Sequence, residues 1–252
     1  MFELLENRRL LSATFEFDPR LALLTVRGTD KPDSLEMRLQ TVGDKQLSTV
    51  VELYSQRQLF YKLQLPVEQL MSVNFLAGDG DDVISVYNRS NATVSIYGES
   101  GADIIRSSNE YLAPGSNVYG GEGNDVISLF SYKKAAGHLA LGGAGDDLIA
   151  GGDGADSLWG DLNTKELVKF GDDSIFGGAG GDYIYGGEGN DWLCGEDGDD
   201  YIDATFGADF VDGGAGIDFA IVDSFDKITA VEDIAMIGVG GGFLSSSINK
   251  PF

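Results

Sequence analysis

From Gly177 to Ile221 the chain repeats one nine-residue sentence five times without a break and with few departures: glycine, glycine, any residue, glycine, any residue, aspartate, any residue, a branched apolar residue, any residue. No helix or alternating sheet edge has a period of nine. A unit this short cannot bury an apolar face alone, so its copies must stack on one another, and a solenoid follows. The same element, Gly-x-Asp followed two places on by an apolar residue, occurs eleven times, at Asp82, Asp103, Asp125, Asp147, Asp156, Asp173, Asp182, Asp191, Asp200, Asp209 and Asp218. Fuller copies such as "GGEGNDVIS" and "GGAGDDLIA" place glycines in pairs of positions: Gly120 and Gly123, Gly142 and Gly145, Gly151 and Gly154, Gly177 and Gly180, Gly186 and Gly189, Gly195 and Gly198, Gly213 and Gly216.

Glycine permits positive φ, so a tight turn can direct carbonyl oxygens to one side while the aspartate adds a carboxylate. That is a cage of hard oxygens, the donor set that suits Ca²⁺. The eighth position carries Ile84, Ile105, Ile127, Ile149, Leu158, Ile175, Ile184, Leu193, Ile202, Val211 and Ala220, a column expected to form the core. Charge agrees with the cage. Of 252 residues, 41 are acidic and 17 basic, a net charge of −24 that argues against nucleic acid or an anionic membrane as partner and favours cations.

These repeats resemble the RTX, or hemolysin-type, calcium-binding repeat family. The resemblance implies an all-β, right-handed parallel β-roll or β-helix solenoid, in which six residues of each unit form a calcium turn and three a short strand. It also implies Ca²⁺ as cofactor, with the eleven aspartates and the paired glycines named above as the metal site. Two units make one coil in such a roll. Residues nine apart therefore belong to opposite edges, which sets Asp147, Asp173, Asp191 and Asp209 along one and Asp156, Asp182, Asp200 and Asp218 along the other. Upstream, steps of 21 and 22 residues between Asp82, Asp103, Asp125 and Asp147 read as whole coils with one motif turn each. Asp156 and Asp173 stand 17 apart rather than nine, which reads as an eight-residue insertion, "LNTKELVK", extruded from a turn without loss of phase. The copy "ATFGADFVD" lacks both leading glycines, and Asp209 is expected to bind poorly.

Four segments follow. Residues 1–13 contain "LENRRLLSA", whose Leu5, Glu6, Arg8, Leu10 and Leu11 resemble the L-E-P-R-x-L-L segment at the start of many large secreted bacterial proteins, with Asn7 for the proline. Residues 14–76 alternate apolar and polar side chains and read as a β-rich N-terminal cap, 77–221 are the calcium-binding roll, and 222–252 a C-terminal cap. Within the first cap, "GTDKPDSLE" echoes the motif around Asp33 but has Lys31 and Pro32 where the inner glycine and its follower should be, so calcium is not expected there.

Signs of catalysis are absent from the sequence. His138 is the single histidine, which excludes an H-E-x-x-H zinc site, and no G-x-S-x-G elbow occurs. His138 reads as a loop residue. Cys194, the single cysteine, reads as a buried inert thiol in a repeat strand and excludes an internal disulfide. Tyr183, Tyr201 and Phe219 should form one aromatic column and Trp192 with Phe210 another, about one strand spacing of 4.8 Å between neighbours; packing under the caps or against the turns is the expected use. No long apolar run reads as a membrane span. The expectation is a secreted or cell-envelope calcium-binding protein with a structural or adhesive role. Its partners would be calcium ions and an extracellular polysaccharide or envelope protein; a polysaccharide lyase or epimerase on a β-helix is the alternative.

Overall fold

A computed structural model of the chain describes residues 13–42, 48–55, 58–66, 69–110, 113–131, 137–161, 170–238 and 242–246. The segment resembling L-E-P-R-x-L-L and the insertion at 162–169 lie outside the described residues. Everything described is strand, turn or irregular, apart from an isolated 3₁₀ residue at Gln69. The strands form two long sheets, one of 12 strands and one of 11, and successive strands of the repeat region alternate between them. The chain thus winds as a parallel β-solenoid. Tyr183 pairs with Tyr201 and Tyr201 with Phe219 in the first sheet, while Trp192 pairs with Phe210 in the second, so two nonapeptides make one coil as expected.

Turns leading from the first sheet into the second make one edge of the roll and carry Asp82, Asp103, Asp125, Asp147, Asp173, Asp191 and Asp209. Turns leading back make the other edge and carry Asp156, Asp182, Asp200 and Asp218. The insertion does not disturb this. Ile149 pairs with Ile175 in one sheet and Leu158 with Ile184 in the other, so both strands that flank the longer coil remain in register. The strands differ from the six-plus-three division. In Leu148–Asp153, Ser174–Ala179 and Trp192–Asp197 the ladder continues past the apolar residue into the next turn's opening residues. The first glycine of each pair is still extended, which lets pairing run on until the positive φ of the second bends the chain.

Inside, Ile149, Leu158, Ile175, Ile184, Leu193, Ile202, Val211 and Ala220 are all fully buried, one to a strand. Upstream coils are longer and bury more: Val73, Phe75 and Ala77 lie on a single strand and Val94 and Ile96 on its neighbour. Beyond the parallel coils, antiparallel strands cover the ends. Thr14–Asp18 pairs with Leu23–Arg27, Ser34–Val42, Ser48–Ser55 and Gln58–Pro66 form a meander, and Gly242–Ser246 folds back on Asp233–Gly238. The aromatic columns are real but differ in setting. Ring centroids are 5.0 Å apart for Tyr183 and Tyr201, 5.2 Å for Tyr201 and Phe219 and 4.3 Å for Trp192 and Phe210. They stand on the outer faces of the sheets, with Trp192 49% exposed, rather than under the caps or against the turns. The reason is the pleat: position seven neighbours the inward eighth position and must point the other way.

The two-edged coil makes deletions phase-sensitive. Removing 162–169 should leave the calcium-supported melting temperature nearly unchanged. Removing one repeat, 186–194, sends every later strand to the opposite sheet and should cost far more stability than removing two, 186–203. Equal tolerance of one and two repeats in thermal melts would contradict the two-edged roll.

Candidate metal centre

On each edge the aspartates are joined by the backbone. The N–H of one aspartate donates to Oδ1 of the aspartate one coil later: Asp103 to Asp125, Asp125 to Asp147, and Asp147 to Asp173, each at 2.8 Å. The opposite edge repeats this from Asp156 to Asp182 at 2.7 Å and from Asp182 to Asp200 at 2.8 Å. Oδ1 is thereby satisfied and the carboxylate is fixed in direction. Oδ2 is not satisfied. In all eleven aspartates this oxygen is buried without a hydrogen-bond partner, although each residue is at most 3% exposed. Lone unsatisfied acceptors occur in many proteins, but eleven in two straight rows require a common explanation.

The glycines show where those oxygens point. A methyl group added at Gly120 would lie 2.2 Å from Asp125 Oδ2 and 2.4 Å from the carbonyl oxygen of Gly142 on the next coil. At Gly195 the same two contacts, with Asp200 Oδ2 and Gly213 O, would be 2.2 and 2.4 Å. Gly177 and Gly151 repeat the pattern, Gly213 has the Ala230 carbonyl as its second oxygen, and Gly142 and Gly186 meet Oδ2 of Asp147 and Asp191. These turns therefore aim a carboxylate oxygen, and at Gly120, Gly151, Gly177, Gly195 and Gly213 a carbonyl oxygen as well, into space that only an absent side chain leaves open. The inner glycines, Gly123, Gly145, Gly154, Gly180, Gly189, Gly198 and Gly216, all have positive φ and create the bend that closes the turn.

A cation fits this arrangement. Carboxylate and carbonyl oxygens are hard donors suited to Ca²⁺, which takes about six to eight of them. Among the described residues no three Asp, Glu, His or Cys side chains gather round one point, so backbone carbonyls must supply much of any shell. Nor do the ion pairs seen among the described residues neutralise the rows. They join Arg38 to Glu36, Lys62 to Glu52 and Arg89 to Glu110, away from both rows. Without a cation, burial pushes the carboxyls up from the ordinary 3.8, to about 7 for Asp125 and Asp182 and about 8 for Asp147 and Asp173; the backbone bond opposes the shift and neighbouring carboxylates add to it.

Four copies of the RTX calcium-binding nonapeptide repeat model match the chain, over residues 117–129, 140–163, 169–202 and 185–220. Within 117–220 the roll carries RTX calcium-binding repeats. Repeats of this family bind Ca²⁺. A comparison with curated proteins gives no match.

Several participants escape the RTX motif. Gly98 and Gly160 occupy the same open position as Gly120, facing Oδ2 of Asp103 and Asp173 at 2.3 and 2.1 Å from an added methyl. Gly171 takes the inner-glycine place after the insertion, stacked between Gly145 and Gly189. Asp161, 2% exposed, accepts the Gly171 and Glu188 N–H groups and clasps the neck of the insertion. Each row also continues past its last motif: Asp209 N–H donates to Asp226 Oδ1 and Asp218 N–H to Glu232 Oε2. At the start of the first edge, Asp33 N–H donates to Asp82 Oδ1, while Asp33 Oδ2 accepts the N–H and hydroxyl of Thr29. Asp33 thus belongs to the row but has no orphaned oxygen. Asp226 and Glu232 lack the surrounding glycines, so no sequence signal marks them, whereas Asp33 keeps Gly28 five residues before it.

One expectation holds with an addition and one is corrected. His138 is a loop residue, in the turn before Leu139, but it is 2% exposed and accepts the Ser116 N–H on Nδ1, and burial lowers its pKa to about 4. Cys194 is half-buried and outward, accepting the Trp192 indole N–H, with its thiol pushed up by burial.

The turns are not equal. Ala77 and Ala204 stand five residues before Asp82 and Asp209, where Gly120 and Gly195 stand in better copies, and their methyl groups fill the corresponding space. Ala204→Gly should therefore strengthen calcium binding in titration calorimetry, by about tenfold at the affected site, whereas Gly195→Ala should weaken it.

Acidity provides a second check. A carboxyl raised in the folded state favours the protonated fold. That stabilisation is complete below the unfolded value of about 4 and disappears as pH rises through about 6 to 8. Calcium-free protein should therefore melt higher at pH 5 than at pH 8, and apparent calcium affinity should rise over the same interval. A calcium-free melt that improves toward pH 8 would contradict the buried rows.

Proposed function

We propose that this protein is an extracellular calcium-dependent structural or adhesive module, whose repeat region folds round Ca²⁺ held by the eleven aspartates and their glycine turns. The observation that supports it is the pair of rows of orphaned Oδ2 atoms. Oxygen-only sites formed between flexible glycine turns suit the weak affinities of extracellular modules, about 10⁻⁴ to 10⁻³ M. Sites of that strength fill outside a cell and stay empty in the cytosol, so the chain would be loose before export and locked afterwards. Among the described residues no helix is long and apolar enough to cross a membrane.

The adhesive part of the reading draws on the outer face of the first sheet. Tyr183, Tyr201 and Phe219 present a half-exposed ladder of rings there, and aromatic faces of this kind suit sugar rings or a partner protein. A polysaccharide lyase or epimerase would need carboxylates in an open groove, whereas those of the rows are buried between turns. The reading is therefore of a protein without catalysis.

Far-UV circular dichroism should show β signal lost in chelator and restored by millimolar calcium, with a rise in melting temperature by linkage. Asp182→Asn or Asp200→Asn should lower the number of ions bound, and Asp33→Asn should not. A melt indifferent to chelator, or an Asp33 variant that loses as many ions as Asp182→Asn, would overturn the assignment.

A further inference from the structure

On the second edge the coil above Asp156 places His138 in the aspartate's position. Leu139 pairs with Ser157 and Ala140 with Leu158, which sets His138 directly over Asp156. The backbone treats it as an aspartate: Ser157 N–H donates to the His138 carbonyl at 2.8 Å, as Tyr183 N–H does to the Asp156 carbonyl at 2.8 Å. His138 N–H donates to Asp156 Oδ1 at 2.6 Å, and Ser116 N–H, a coil further up, donates to His138 Nδ1 at 3.0 Å. Nδ1 thus does what Oδ1 does in every lower turn.

The other nitrogen is chemically opposite to what it replaces. A ring that accepts on Nδ1 carries its proton on Nε2 when neutral. Nε2–H then stands where the lower turns have an orphaned carboxylate oxygen, and it too is buried without a partner. A row of acceptors that attracts cations meets a donor that repels them.

Above His138 the edge changes character. Ser116 Oγ bonds Ser107 Oγ and donates to Asn109 Oδ1, and Asn109 donates to the Pro114 carbonyl. A coil higher, Asn88 donates to the Ala92 carbonyl and accepts both the N–H and the hydroxyl of Ser90. These buried groups satisfy each other, none is a carboxylate, and none leaves an orphaned oxygen.

We propose that His138 is a stop residue, which ends the calcium row of this edge at Asp156 and hands the edge to an asparagine and serine ladder that holds the upstream turns without metal. Calcium then supports both edges of the roll below His138 and a single edge above it. The larger apolar interior of the upstream coils makes up the difference. The inference rests on the reading that calcium bridges the aspartate turns.

Hydrogen exchange followed by mass spectrometry on the full chain, with calcium and after its removal, tests the handover. Calcium removal should speed exchange in the 177–182, 195–200 and 213–218 turns by about 100-fold or more, while the 88–93 and 113–116 turns change by less than about threefold. His138→Asn, whose amide oxygen can still accept the Ser116 N–H, should bind as many calcium ions as the parent, and Asp156→Asn fewer. Nitrogen-15 spectra of the calcium-loaded parent should show the proton of His138 on Nε2, a readout independent of any variant's folding. Loss of protection in the 88–93 turn together with the 177–182 turn, a lower ion count in His138→Asn, or a proton on Nδ1 would overturn the stop. No loss of protection anywhere would overturn the calcium reading beneath it, and the stop with it.

Discussion

Everything in this roll depends on buried carboxylates that form none of the ion pairs seen among the described residues. Holding a carboxyl ionised when its pKa has moved from 3.8 to about 7 costs on the order of 4 kcal/mol, at about 1.4 kcal/mol for each tenfold. An 18-residue coil of the lower roll holds two such groups. It also buries two branched side chains, one on each sheet, which contribute about 1.5 to 3 kcal/mol apiece. At neutral pH the carboxylate cost is at least as large as the apolar gain before any conformational entropy is counted. In the proposed function a divalent cation bound between the turns offsets the larger quantity, which couples the site to the fold.

The same constraint explains the glycines. A solenoid with coils of 18 residues has no room for side chains where one turn lies on the next. The methyl that Gly198 lacks would lie 1.3 Å from the Gly180 carbonyl oxygen, and Gly198 also has φ of +150°, which other residues rarely adopt. Tight turns bring the carbonyls of adjacent coils within reach of one cation, and they deprive the lower roll of a wide interior. The upstream coils, at 21 and 22 residues, make the opposite compromise: a larger core with Phe75 at its centre, one row of carboxylates, and an uncharged ladder on the other edge.

How much of this the sequence discloses depends on whether a feature repeats. The nine-residue period discloses the core column, the alternation of edges and the position of every motif aspartate, because each is written many times in one phase. The insertion is legible for the same reason: the beat resumes after Gly171. Features written once are not legible. Asp226 and Glu232 join the rows by register, and only the pairing of Val211 with Ile228 or Ala220 with Ile234 reveals that register. Asp161, standing directly after Gly160 where better copies have an adjacent glycine, looks like a defect in the motif, yet it accepts the Gly171 and Glu188 N–H groups.

His138 is the sharpest case. No glycine pair precedes it and histidine is not a motif residue, so nothing in its neighbourhood suggests a role. Its position becomes meaningful only when Ala140 is seen beside Leu158. Once there, the chemistry follows from one hydrogen bond: Ser116 N–H needs an acceptor, Nδ1 supplies it, and the proton must lie on Nε2. Aspartate, asparagine or histidine can each accept the same backbone bond, so the ladder tolerates all three. They differ only in what the far end of the side chain offers the gap, an anion, an amide or a donor. A solenoid of this kind can therefore set the boundary of its metal rows with a single side chain while leaving the backbone ladder continuous.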